Sequence, residues 1–371
     1  MNKRILFLTG TRADYGKLKP LISTLADHFD VHIFVTGMHM LKIFGSTFLE
    51  VKKDGFKNVF LFVNQRIDDH PDQILAKTIS GFSDYIRETP PDMIIVHGDR
   101  VEALAGSIVG AMNNILVAHV EGGEVSGTID ESIRHAISKF AHIHFVSNTL
   151  AKTRLLQLGE KESTIFVVGS PDHEVMASSS LPDLTVAKDY YEIEFDDFSI
   201  AILHPVTTEL DQLREDVQAF VEALTFSERN YVVIYPNNDP GFALILDAYR
   251  ALIDNSRFRL LPSVRFEYFL TLLKNATFII GNSSSGIREA PVFSTPTINL
   301  GSRQNARSSF VEIIHCDFTL DNIEQAIAQA ERLKPTPFSE FGRKDTSKLV
   351  LDALGDNSIW ELDLQKSFVS V

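Results

Sequence analysis

At 371 residues the chain is long for one domain and comfortable for two. Its composition, 44% hydrophobic and 23% charged, can fill a core and excludes a disordered chain. Thirty-five Lys and Arg against 49 Asp and Glu leave a net charge of -14, which argues against nucleic acid as a partner; the lone Cys316 excludes a disulfide framework or a cysteine-based zinc site.

Met1-Asn2-Lys3-Arg4 leads into Ile5–Leu8, an apolar run too short for a secretory signal. No later run approaches the roughly 18 residues that span a bilayer, so a soluble, cytoplasmic protein without a membrane partner is expected. Short runs rich in Val, Ile and Phe then recur at Ile5–Leu8, Val31–Val35, Val59–Val63, Met93–Val96, Leu116–His119, His144–Val146 and Ile165–Val168. Their hydrophobicity is continuous rather than alternating, the pattern of strands covered on both faces in a parallel sheet. Helical spacing separates them at Lys17–His28, Asp72–Glu88, Val101–Met112 and Thr149–Leu158, which predicts βαβ units.

After Gly169-Ser170-Pro171 the composition shifts, and 178–197 shows no clean period. A second strand series follows at Phe198–Leu203, Tyr231–Tyr235, Arg259–Leu261, Thr277–Ile280 and Thr297–Leu300. The expected fold class is α/β, with two Rossmann-like doubly wound domains facing each other across a cleft. The expected division is 1–175, then 190–346, then a C-terminal helical stretch 347–371 (apolar at Leu349–Leu364) packing back on the first domain.

Polar residues at the strand ends mark the candidate chemistry. Thr9-Gly10-Thr11-Arg12 ends the first strand, where Arg12 suits an anion and ordinary turn chemistry is the alternative. Asp99 follows Met93–Val96, Glu121 follows Leu116–Val120, and Asp130 comes soon after. The bland reading is that Asp99 and Asp130 cap the next helices; three carboxylates at one sheet edge also suit a reaction site. His204 ends the first strand of the second half and mirrors the Thr9–Arg12 position. Most specific is 279–289, where a strand runs into Ser283, Ser284, Ser285 and Gly286 at the start of a helix. Backbone N–H groups and hydroxyls there suit a diphosphate, and Glu289 could accept both hydroxyls of a ribose diol. Arg303 and Arg307 add charge downstream or are surface arginines.

Five ordered motifs carry a resemblance: 10–17 (Gly-Thr-Arg-Ala-Asp-Tyr-Gly-Lys), His97-Gly98-Asp99-Arg100, 120–135 from Val120-Glu121-Gly122-Gly123-Glu124 through Asp130, 204–208 (His-Pro-Val-Thr-Thr) and 281–289. Together they resemble the hydrolysing UDP-N-acetylglucosamine 2-epimerases, including the bacterial sialic-acid enzymes. Non-hydrolysing relatives carry Arg-Pro-Glu after the first Gly-Thr and Glu-Ala-Gly-Leu-Arg at the later site; this chain departs at both places. The resemblance implies a glycosyltransferase-B-type fold and release of UDP and a free 2-epimer without metal or cofactor. It implies Asp99, Glu121, Asp130 and His204 as catalytic residues, with His204, Arg12 and Ser283–Gly286 holding the diphosphate and aiding its departure. It also implies Glu289 on the ribose, Val264 reading uracil through its backbone, and a homodimer or homotetramer. A glycosyltransferase of the same fold and a non-catalytic nucleotide-sugar sensor are the competing readings. Three acidic residues at one sheet edge argue against the first, and intact acidic residues beside an intact phosphate site against the second. The sugar is left open between UDP-N-acetylglucosamine and UDP-2,4-diacetamido-2,4,6-trideoxyglucose, the substrate of the related legionaminic-acid route.

Overall fold

A computed structural model describes residues 3–126, 128–304, 307–367 and 369. The chain divides into two compact units. The first takes in Met1–Val125, Ile129–Ala177 and Phe341–Val371; the second takes in Ser126–Thr128 and Ser178–Glu340.

In the first unit strand and helix alternate: β1 (Arg4–Thr9), α1 (Arg12–Ala26), β2 (Asp30–Val35), α2 (Phe48–Lys53), β3 (Asn58–Leu61), α3 (Pro71–Glu88), β4 (Met93–His97), α4 (Val101–Met112), β5 (Leu116–Val120), α5 (Ile129–Phe140), β6 (Ile143–Val146), α6 (Thr149–Gln157), β7 (Ile165–Val167) and α7 (Pro171–Met176). Among the described residues the strands form one parallel sheet in the order β3-β2-β1-β4-β5-β6-β7. The winding direction reverses between β1 and β4, which opens a crevice at the carboxyl edge. Ile5 pairs with Val31 and Met93, and His97 pairs with Val120. The strand ends Thr9, His97 and Val120 therefore share that edge. Ile5, Phe7, Ile33, Ile95 and Phe145 are fully buried beneath it, each worth roughly 1.5–3 kcal/mol in removing apolar surface from water.

The second unit runs α8 (Leu184–Tyr191), β8 (Ser199–Ile202), α9 (Leu213–Phe226), β9 (Tyr231–Ile234), α10 (Phe242–Tyr249), β10 (Phe258–Leu261), α11 (Phe266–Asn275), β11 (Ile279–Gly281), α12 (Ser285–Arg288), β12 (Thr297–Leu300), β13 (Ile314–Cys316) and α13 (Leu320–Ala330). Its sheet is again parallel, ordered β10-β9-β8-β11-β12-β13, with the reversal between β8 and β11. The chain then returns to the first unit in α14 (Thr346–Leu354) and α15 (Asn357–Trp360), where Val350, Leu354 and Ile359 join its core.

Several elements differ from the sequence reading for local reasons. Helix α1 begins at Arg12 rather than Lys17, because the Thr11 hydroxyl caps it by accepting from Asp14 N–H at 3.1 Å. Gly16 and Pro20 had disguised the start. The segment 178–197, which shows no period, contains α8: only Ala187 and Tyr191 face inward, too few to set a pattern. The C-terminal helix is two helices, divided at Gly355-Asp356, where Asp356 accepts from Ser358 N–H at 2.9 Å and starts α15. Strand β13, three residues long, follows a polar stretch and lies outside the predicted strand series. Asn305 and Ala306, between Arg303 and Arg307, lie outside the described residues. Among the described residues no helix is long and apolar enough to cross a membrane.

Candidate active site

At the carboxyl edge of the first sheet, acidic groups are interleaved with buried cations. Asp14, in the first turn of α1, accepts from Gly10 N–H at 3.2 Å through Oδ2 and meets His97 Nδ1 at 2.7 Å through Oδ1. The other ring nitrogen of His97 faces Glu121 Oε2 at 3.2 Å, an ion-pair distance without hydrogen-bond alignment. Burial alone would favour the neutral ring. The Glu121 charge and the Asp14 carboxylate outweigh it and push the His97 pKa up to about 10. At neutral pH His97 is an imidazolium clamped between two carboxylates.

Glu121 leaves β5 with φ at +64°, in the left-handed region that strains a residue with a side chain. Contacts on three sides hold it there. Its Oε1 accepts from Ser170 Oγ, its Oε2 faces His97, and its carbonyl accepts from Arg134 Nη1 at 2.8 Å. Arg134, from α5, is 1% exposed and also donates Nη2 to Asp99 Oδ2, while Glu124 Oε2 lies 4.0 Å from Nη1. The capping reading of Asp99 is therefore replaced by an ion pair: Arg100 occupies the N-cap of α4 without a side-chain cap. Asp130 sits within the first turn of α5, four residues before Arg134 and so on the same helix face. His119 fixes the turn between His97 and Asp99. Burial holds its pKa down to about 3, so the ring is neutral; Nε2–H donates to Gly98 C=O at 2.8 Å and Nδ1 accepts from Ser138 Oγ at 3.0 Å.

Arg12, the first residue of α1, is ion-paired with Glu50 from α2. The structure thus brings Glu121 and Asp99 to one arginine, with Asp130 a turn away, and gives Arg12 a different partner. Asp14, His97, Arg134 and Ser170 were not singled out in the sequence. All but Ser170 lie inside the quoted motifs, yet spacing alone does not say which motif residues hold the others in place.

In the second unit, Asn282 organises the edge. Gly281 pairs with Ile202 and Asn299, and a Cβ on it would lie 1.8 Å from the Ile202 carbonyl oxygen, so glycine is required. The next residue, Asn282, accepts from His204 N–H at 2.7 Å and donates to His204 C=O at 2.8 Å. Its own carbonyl accepts from Arg303 Nη1 at 3.3 Å and Gln304 Nε2 at 2.9 Å. This one residue, through its side chain to His204 and its backbone carbonyl to Arg303 and Gln304, ties the ends of β8, β11 and β12 together. His204 Nδ1 accepts from Asn237 N–H at 3.0 Å, so a neutral ring carries its proton on Nε2.

The serine run makes a tight turn in which Ser285 N–H and the Ser285 hydroxyl both lie 3.3 Å from Ser283 Oγ. The helix it opens is shorter than expected: α12 has four residues and passes into a 3-10 turn at Ala290–Phe293. An anion placed there would meet local N–H groups rather than a long helix dipole. Gly286 C=O accepts from Thr297 Oγ1 at 2.7 Å, and Glu289, 1% exposed, closes the turn. Arg303 is buried at 8% exposure rather than a surface residue; Arg307 donates to Gln304 Oε1 at 3.2 Å. Val264 lies in the loop between β10 and α11. His204, Ser283–Gly286 and Arg303 share one sheet edge; Val264 follows the outer strand β10 of the same sheet.

Comparison with known proteins bears on this arrangement. The family model described as UDP-N-acetylglucosamine 2-epimerase matches residues 23–355. A UDP-N-acetylglucosamine 2-epimerase of Neisseria meningitidis serogroup B is 44% identical, over 100% of this chain and 99% of its own length. A UDP-N,N'-diacetylbacillosamine 2-epimerase (hydrolyzing) of Legionella pneumophila is 35% identical over 94% of each chain. Among solved structures, the UDP-GlcNAc 2-epimerase of Methanocaldococcus jannaschii in complex with UDP-GlcNAc and UDP superposes with a TM-score of 0.79 at 22% identity, covering 95% of this chain and 99% of that one. The fold is accordingly of the glycosyltransferase-B type, and the chain belongs to the UDP-N-acetylglucosamine 2-epimerase family.

Proposed function

We propose that the protein is a hydrolysing 2-epimerase, which converts a UDP-N-acetylglucosamine-type sugar to UDP and the free 2-epimer. The observation that carries this reading is the set of acidic groups at the first unit's sheet edge. Glu121 is held in a strained conformation by His97, Ser170 and Arg134, and Arg134 also holds Asp99. The hydrolysing branch is favoured by the two motif departures, whose residues have work in this chain. Asp14 binds His97, and Glu124 lies beside Arg134 and accepts from Ser147 Oγ at 2.8 Å.

The chemistry matches those groups. The C2 hydrogen of the sugar is not next to a carbonyl, so loss of UDP must run ahead and build positive charge at C1 and the ring oxygen. Carboxylates fixed beside that charge stabilise it without reorganising. One then takes the C2 proton, the C1–O bond to UDP breaks, and a 2-acetamidoglucal forms. Water adds its hydroxyl to C1 while a proton returns to C2 from the opposite face. Inversion with exchange needs acid/base groups on both faces, the role of Asp99, Glu121 and Asp130.

The nucleotide falls to the second unit. His204, through Nε2–H, and the Ser283–Gly286 turn hold the diphosphate, Glu289 the ribose diol, and the Val264 backbone the uracil; Arg303 and Arg307 add positive charge. Arg12 contributes a guanidinium to the departing diphosphate on exchanging its Glu50 partner. The substrate is UDP-N-acetylglucosamine or its 2,4-diacetamido-trideoxy analogue, the products serving sialic or legionaminic acid synthesis. Incubation with each, followed by product analysis, tests the reading. Free 2-epimer and UDP are expected in equal amounts, and a UDP-linked 2-epimer would place the chain in the non-hydrolysing branch.

A further inference from the structure

We propose that Tyr191 is a positioning residue for base recognition: its hydroxyl holds the loop whose backbone reads the nucleobase. The proposal rests on the assignment of Val264 to the uracil. The loop, residues 262–265, is fixed at two backbone points. At its start Leu261 C=O accepts from Tyr235 N–H at 3.0 Å, as part of the sheet. At its end Arg265 N–H donates to Tyr191 Oη at 2.8 Å. Between those points lies Val264, the residue assigned to the nucleobase.

The second point is unusual in its origin. Arg265 is the N-cap of α11, and its own N–H, one of the donors a helix start leaves without an intrahelical partner, is met by the hydroxyl of a residue 74 positions earlier. Tyr191 is itself immobilised. Its carbonyl accepts from Arg259 Nε at 2.7 Å, and Arg259 Nη2 reaches Glu192 Oε2 at 2.6 Å. At the other end of α8, Thr271 Oγ1 donates to Pro182 C=O at 2.8 Å. The Tyr191 ring meets Tyr268 edge-on at 5.8 Å, and the Arg265 guanidinium lies 5.6 Å over that same ring. Ring packing supplies the contact between α8 and α11; what the hydroxyl adds is the placement of one backbone N–H. Readout through backbone groups is only as selective as the backbone's placement, so this hydroxyl bears on base selectivity more than on stability.

Calorimetry with UDP, CDP and inorganic pyrophosphate, on wild type and Tyr191→Phe, tests this. The variant keeps the ring and loses one hydrogen bond. It is expected to bind UDP about 3- to 10-fold more weakly and to discriminate less between UDP and CDP. Pyrophosphate affinity should stay at its wild-type value, and the melting temperature should fall by no more than a few degrees, the cost of one part-buried hydrogen bond. Equal losses for UDP and pyrophosphate, or an unchanged UDP-to-CDP ratio, overturn the role of Tyr191 while leaving base reading intact. Wild type that binds UDP and CDP alike removes the Val264 assignment and, with it, this proposal. Should Tyr191→Phe not fold, Arg259→Met carries the same test, since it frees the carbonyl of the same residue, and the same selective loss of UDP binding is expected.

Discussion

Replacing His97 by Gln leaves the Asp14 and Glu121 carboxylates with no cation between them. His97 touches Asp14 at 2.7 Å and faces Glu121 at 3.2 Å, and its pKa stands at about 10 against an ordinary 6.5. Removing one member of a buried ion pair costs about 3–5 kcal/mol, and a pKa raised to that extent is worth a stabilisation of the same order. The sign follows from proton linkage. The folded state binds the proton more tightly than the unfolded state, so the contribution is complete below about pH 6.5. It declines by about 1.4 kcal/mol per pH unit above that and is gone once the pH passes about 10. Urea unfolding of wild type and His97→Gln from pH 6 to 10.5 should therefore show a gap that is widest at pH 6 and closes towards pH 10. Because Glu121 loses a contact that aims its carboxylate, kcat should also fall by about 10²-fold. A stability gap that is absent at pH 6, or that stays constant to pH 10.5, would refute the imidazolium assignment.

Asp99→Asn, Glu121→Gln and Asp130→Asn each remove an acid/base group while conserving volume. Each is expected to lose on the order of 10²-fold or more in kcat with UDP binding retained, and one of them to release the glucal; near-wild-type kcat in any of them removes that residue from the chemistry. Glu289→Gln should weaken UDP more than pyrophosphate, since only UDP presents a ribose diol, and equal losses in calorimetry would make the residue structural. Activity is expected to survive EDTA, because arginine and backbone N–H groups suffice for the diphosphate. Abolition by chelator with rescue by one divalent ion would contradict this.

Both sheets were legible in the sequence because buried parallel strands are continuous apolar runs, and the carboxylates stood out because they end such runs. Helix α8 was not, since two inward residues set no period. The cations were harder to find for a different reason. His97 reaches Glu121 and Asp14, and Arg134 reaches Asp99, through tertiary contacts 24 to 83 positions apart, and no local spacing encodes those pairings. The alternative reading of Asp99 as a helix cap gives way for the same reason, as Arg134 claims its carboxylate from another helix.

The central claim, elimination followed by hydration, is tested most directly by turnover in D2O. A carboxylate that takes the C2 proton exchanges it with solvent before the other face is protonated, so the free sugar should carry deuterium fully at C2. Free sugar that keeps its original hydrogen at C2 would mean direct hydrolysis at C1 and would contradict the account.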